Sequence, residues 1–174
     1  VTRGLKKLYL FRTRSRRPDL SPLRRFEHLE ELYVEGQQKS IDVLSQLKNL
    51  QDVTLRSIST PDIRYLKALD RMWSLDIKLG GIRDLSAIEG MENIKYLELW
   101  QIRGLSDMSV ISSLTGLQYL FLESLRRVAV LPALHRLEQL RRIVLLNMNG
   151  LQNLDSLEFA PALEECFLGS VRSL

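Results

Sequence analysis

The chain has little of what covalent stapling, membrane insertion or catalysis draws on. One cysteine, Cys166, stands among 174 residues, so no disulfide can close within the chain, and the small secreted scaffolds that depend on several are excluded. The compartment stays open on that count. Uninterrupted apolar runs are short, Val128 to Leu131 being typical, whereas a membrane-spanning helix needs roughly 20 apolar residues. A soluble chain without membrane insertion is expected. The opening VTRGLKKLYLF carries positive charge, but its apolar stretch is broken and no small-residue cleavage site follows, so it does not read as a secretory leader. A glycine-rich phosphate loop and a histidine–carboxylate metal pair are also missing, and no cofactor is implied.

What is present is an apolar share of 45%, enough for a substantial core. The net charge of +4 conceals an asymmetry, because residues 1–25 hold nine Lys or Arg against Asp19 alone. That segment carries +8 and the remaining 149 residues −4. A basic end on a mildly acidic body fits a nucleic-acid or acidic partner, and equally a solvated terminal unit.

The dominant feature is an internal repeat. LKKLYL from Leu5, LEELYV from Leu29, LQDVTL from Leu50, MWSLDI from Met72, IKYLEL from Ile94, LQYLFL from Leu117, LRRIVL from Leu140 and LEECFL from Leu163 share one pattern, LxxLxL. Successive copies begin 24, 21, 22, 22, 23, 23 and 23 residues apart. The last two apolar positions of each copy are two apart, the period of a strand with one buried face. Strands are therefore predicted at Leu8–Leu10, Leu32–Val34, Val53–Leu55, Leu75–Ile77, Leu97–Leu99, Leu120–Leu122, Ile143–Leu145 and Cys166–Leu168. Between them the apolar spacing changes to three, as in Ile82, Leu85, Ile88 and Met91 or Leu125, Val128, Leu131, Leu134 and Leu137. That period suits a 3₁₀ turn, in which residues three apart eclipse. Asp19, Asp42, Asp62, Asp84, Asp107 and Asn153 stand near the starts of these stretches and read as caps on free backbone N–H groups. The stretch Arg12 to Pro22 breaks the rhythm and is expected to protrude.

This pattern resembles the leucine-rich-repeat superfamily, in its roughly 22-residue, internalin-like class. The turns PDLSPL (Pro18 to Leu23), RDLSAI (Arg83 to Ile88) and SDMSVI (Ser106 to Ile111) are particularly similar to that class. The resemblance implies an α/β leucine-rich-repeat solenoid, curved and about eight repeats long, with a parallel concave β-sheet and short 3₁₀ turns or helices on its convex side. It also implies a role in protein recognition. Residues 1–174 read as a single domain, expected to be a fragment of a longer protein. One departure stands out. Counting the first residue of each LxxLxL as one, the family commonly has an asparagine ladder at position nine. Here that position holds Thr13, Gln37, Ile58, Gly80, Ile102, Leu125, Met148 and Val171.

Placed on such a solenoid, the reactive residues do not converge. His28 and His135 lie about five repeats apart, hence roughly 20 Å or more at a strand spacing of about 4.8 Å. Cys166 occupies an inward strand position and is expected to be a buried core thiol. A non-catalytic interaction scaffold follows, with recognition on the outward strand positions. These include Tyr96, Glu98, Trp100, Tyr119, Phe121, Glu123, Arg142, Val144 and Leu146, an aromatic and apolar cluster with charges at its border, expected to bind a protein partner. Tyr9, Phe11 and Tyr33 form a second aromatic corner beside the basic segment, the alternative surface for nucleic acid or another acidic partner.

Overall fold

The computed structural model describes residues 4–13 and 18–171. Eight strands form one parallel sheet in strict sequence order: β1 (Lys7–Leu10), β2 (Glu31–Glu35), β3 (Asp52–Arg56), β4 (Ser74–Lys78), β5 (Tyr96–Trp100), β6 (Tyr119–Glu123), β7 (Arg142–Leu146) and β8 (Glu165–Gly169). Each pairs with the next so that equivalent repeat positions face one another, as in Leu97↔Leu120↔Ile143. The helical content among the described residues is 3₁₀, at Ser21–Arg25, Ile41–Gln46, Arg64–Leu66, Ser86–Ile88, Ser109–Ser113 and Asp155–Phe159. No helix there is long and apolar enough to cross a membrane. Arg14, Arg16 and Arg17, the centre of the expected protruding segment, lie outside the described residues.

Burial follows the predicted alternation. In β2, β3, β5 and β6 the second and fourth residues are buried and the others half-buried. The apolar residues of the turns, such as Leu85, Ile88, Leu105 and Ile111, close the core from the other side. Among the candidate caps, Asp19, Asp62, Asp84, Asp107 and Asn153 each accept a bond from the backbone N–H two residues on, at 2.7 to 3.3 Å. At Asp62 the Arg64 side chain, and after it this backbone bond, hold the carboxyl below its usual range, and at Asp107 the backbone bond does so first. Asp42 does not belong to the set. In its repeat the equivalent position is Ser40, and Asp42 sits inside the 3₁₀ helix it was expected to cap. The stretch between β6 and β7 has no 3₁₀ helix, and there the capping position is filled by Val130, which has no acceptor to offer.

The missing asparagine ladder is replaced by backbone. At position eight, Gly36, Ser57, Leu79, Gln101, Ser124, Asn147 and Ser170 all take the left-handed conformation, with φ between 50° and 70°. That rotation lets six of them, Gly36 through Asn147, donate their N–H to the position-seven carbonyl of the next strand at 2.7 to 2.9 Å. Leu79 accepts a conformation that costs an L-residue roughly 1 kcal/mol. Position nine then turns inward: Ile58, Ile102, Leu125 and Met148 are buried, and Gln37 alone donates its amide, to the Phe11 carbonyl at 3.0 Å. Gly80 belongs there because a Cβ would lie 2.3 Å from the Ile58 carbonyl oxygen, while the Gly81 N–H donates to that same oxygen.

The expectation for Cys166 is corrected. Cys166 is exposed, as is most of β8, and the inward-facing Leu168 is 49% accessible. Among the described residues, nothing stacks on the far side of β8, so its core face is covered by one neighbouring repeat instead of two. Partial burial pushes the thiol pKa up. In the folded 174-residue chain a maleimide should therefore label Cys166 within about 10-fold of the unfolded-chain rate. Protection of about 1,000-fold would show the last repeat to be closed.

Candidate functional site

The sheet's outward residues form three rows across adjacent strands. Tyr96, Tyr119 and Arg142 share one, Glu98, Phe121, Val144 and Phe167 the next, and Trp100, Glu123 and Leu146 the third. All nine sequence-predicted residues thus lie together on β5, β6 and β7. The period-two alternation puts them there, because each follows or precedes a leucine or isoleucine committed to the core.

Side-chain packing ties the rows together. The Tyr96 and Tyr119 rings stack with centroids 4.9 Å apart and planes 8° from parallel. Arg142 extends the stack, its guanidinium carbon 5.4 Å from the Tyr119 ring and 4.6 Å from the Phe167 ring. Its Nε lies 3.2 Å from Glu165. The Tyr96 hydroxyl donates to Glu98 at 2.9 Å, and burial together with this bond pushes the phenol's pKa up. Because neighbours about 5 Å apart cover one another, Tyr96, Trp100, Tyr119 and Phe121 are half-buried, while Phe167 on β8 is exposed. Val144 is a correction: it is 7% accessible, a short side chain between Phe121 and Phe167 on the flanking strands. It fills the floor of the patch instead of extending its surface.

The structure adds residues that the rows alone did not single out. Arg56, on β3, places its guanidinium 5.5 Å from the Trp100 ring by reaching over β4. Between them Lys78 bridges Asp76 and Glu98 at 3.2 and 3.1 Å. Asp76 is largely buried, and burial outweighs the attraction of Lys78, pushing its carboxyl up to about 6. One of its oxygens has no hydrogen-bond partner. Long side chains that cross a strand gave no sequence signal beyond sharing a row with Trp100.

At the other end of the sheet Phe11 packs 5.1 Å from Tyr33, and Tyr9 6.5 Å from it. Tyr9 and Phe11 are exposed. Lys6 and Lys7, however, are already paired with Glu30 and Glu31, so the basic character of this corner is partly neutralised.

The sequence matches no family model and no curated protein. Likeness appears in three dimensions. An internalin (inlF) from Listeria monocytogenes superposes with a TM-score of 0.75 at 20% identity, over 98% of this chain and 50% of that one. Internalin C2 (inlC2) from the same organism gives 0.72 at 19% identity, over 97% of this chain and 76% of that one. A leucine-rich-repeat protein of Leptospira interrogans gives 0.59 at 16% identity, over 98% of this chain and 50% of that one. The chain thus spans half the length of the first of these structures. At such identities the likeness is one of fold, and it agrees with the repeat, the parallel register and the 3₁₀ turns: the chain is a curved leucine-rich-repeat solenoid.

Proposed function

We propose that this solenoid is a non-catalytic scaffold that holds a protein partner on its concave sheet, centred on Tyr96, Trp100, Tyr119 and Phe121. The observation that carries the reading is the contiguous aromatic surface: the parallel Tyr96–Tyr119 stack, continued by Arg142 and joined by Phe121 and Trp100 on the same two strands. Aromatic residues and arginine are enriched at interface centres because they bring large, stiff, partly apolar contact area. Glu98, Glu123 and Arg142 surround this centre with charge that can fix the partner's orientation, while Val144 supports it from beneath and Leu146 borders it. The fold neighbours support a scaffold role in general terms.

Binding of nucleic acid or another acidic partner through the first repeat is the weaker reading, since the described lysines there are satisfied by glutamates. Titration decides between surfaces. A partner captured on the immobilised chain should bind the Trp100→Ala variant more weakly by an order of magnitude or more. Unchanged affinity would move recognition elsewhere.

A further inference from the structure

The loops that leave the strands have a charge pattern opposite to that of the sheet. On the outward positions of the eight strands stand seven carboxylates and four cations, and each cation, Lys7, Arg56, Lys78 and Arg142, has a carboxylate partner. The five-residue segments that follow β2 to β7 (36–40, 57–61, 79–83, 101–105, 124–128 and 147–151) contain Lys39, which pairs with Asp19, and Arg83, Arg103, Arg126 and Arg127, with no Asp or Glu until Asp62 and Asp84 directly after two of them. Folding stacks these segments along one edge of the solenoid, beside the ends of the strands that carry Trp100 and Glu123.

On that edge an open cleft of about 410 Å³ lies between the loops after β5 and β6, lined by Gln101, Arg103, Gly104, Ser124, Arg126 and Arg127. No carboxylate lines it, and among the described residues the three guanidiniums have no ion-pair partner. A fourth, Arg83, packs against Gly104, its Nε 3.3 Å from where a Cβ would stand. Several unpaired like charges around one cleft repel each other until an anion sits among them. The Ser124 hydroxyl and the Gln101 amide add neutral donors at the same place. Glu123, one residue before Ser124, faces the concave sheet, while Asp84 and Asp107, the nearest acids after Arg83 and Arg103, accept from the Ser86 and Ser109 backbone N–H groups.

We propose that this cleft is an anion site that takes a phosphate or sulfate ester group, with Arg103, Arg126 and Arg127 as its ligands. A guanidinium is a planar fork that matches the oxygen edges of a tetrahedral anion, and it keeps its charge at every physiological pH. A group with several oxygens around one centre can accept from more than one arginine at a time, which a single carboxylate does less well. The site is separate from the aromatic patch, so an ester on a protein partner's surface or a free small molecule can reach it.

The test is calorimetric titration of the whole chain at low salt with four probes: inorganic phosphate, inorganic sulfate, a sugar phosphate and the sulfate ester of the same sugar. The ester arms distinguish phosphate from sulfate as the source. At least one probe should bind, and Arg103→Ala and Arg126→Ala should each weaken it about 10-fold, as expected for loss of a charged hydrogen-bond donor. All three arginines are exposed, so melting temperature should stay unchanged. Lys67→Ala removes the same charge from an exposed position on the turn side and should change affinity less than about 2-fold. Failure of all four probes to bind, wild-type affinity in both arginine variants, or an equal loss with Lys67→Ala would overturn the proposal. Trp100→Ala leaves this site intact, so failure of the aromatic patch and failure of the anion site give different results.

Discussion

Trp100→Ala should weaken partner binding by roughly 30-fold and leave folding nearly intact, while Leu99→Ala should destabilise the protein by about 2 to 5 kcal/mol. The two residues are adjacent in β5 and their side chains leave opposite faces of the sheet. Leu99 is fully buried among the core side chains, and truncating it opens a cavity between the sheet and the turns. Trp100 is half-buried on the concave face, in contact distance of the Arg56 guanidinium. Its removal takes away concave-face area and little that the core uses. Partner titration and thermal melting of both variants check the pair. Similar melting losses in the two would show that the Trp100 ring is structural.

The second large effect concerns Asp76. Burial raises its carboxyl from 3.8 to about 6 in the folded state, so between those values the folded protein binds a proton that the unfolded chain has released. Stability therefore falls as pH rises through this window and stays lower above it. A shift of that size corresponds to about 3 kcal/mol, and with the loss of one of the two Lys78 partners in the variant the net gain should be about 2 kcal/mol. Asp76→Asn imitates the protonated form. It should be more stable than the native protein at pH 7.5 and close to it at pH 4, measured as urea midpoints. A difference independent of pH would mean that Asp76 is ionised in the fold without penalty.

The strands and their register were legible in the sequence because LxxLxL fixes both the face and the start of every repeat. A one-residue slip would expose a whole column of leucines. The concave rows followed from the same count. What the count does not carry is how completely a residue is covered. Cys166 occupies an inward position like Leu97, but coverage comes from the next coil, and β8 has none among the described residues. Val144 occupies an outward position, yet it is 7% accessible between Phe121 and Phe167 on the flanking strands. Residue type alone points to Asp42 as a cap, whereas position within the repeat gives the place to Ser40. The arginines of the loop edge stand 20 or more residues apart, apart from the adjacent pair Arg126 and Arg127. They become neighbours through stacking, and they carry no local motif.

The central claim, that the β5 to β7 part of the concave sheet holds the partner, is tested most directly by hydroxyl-radical footprinting of the complex against the free chain. Trp100, Tyr119 and Phe121 should lose reactivity on binding, while Trp73, 43% accessible and outside the strand rows, and Phe159, on a 3₁₀ helix of the turn side, should keep theirs. Protection of Trp73 or Phe159 with Trp100, Tyr119 and Phe121 unchanged would place the partner on another surface and contradict the account.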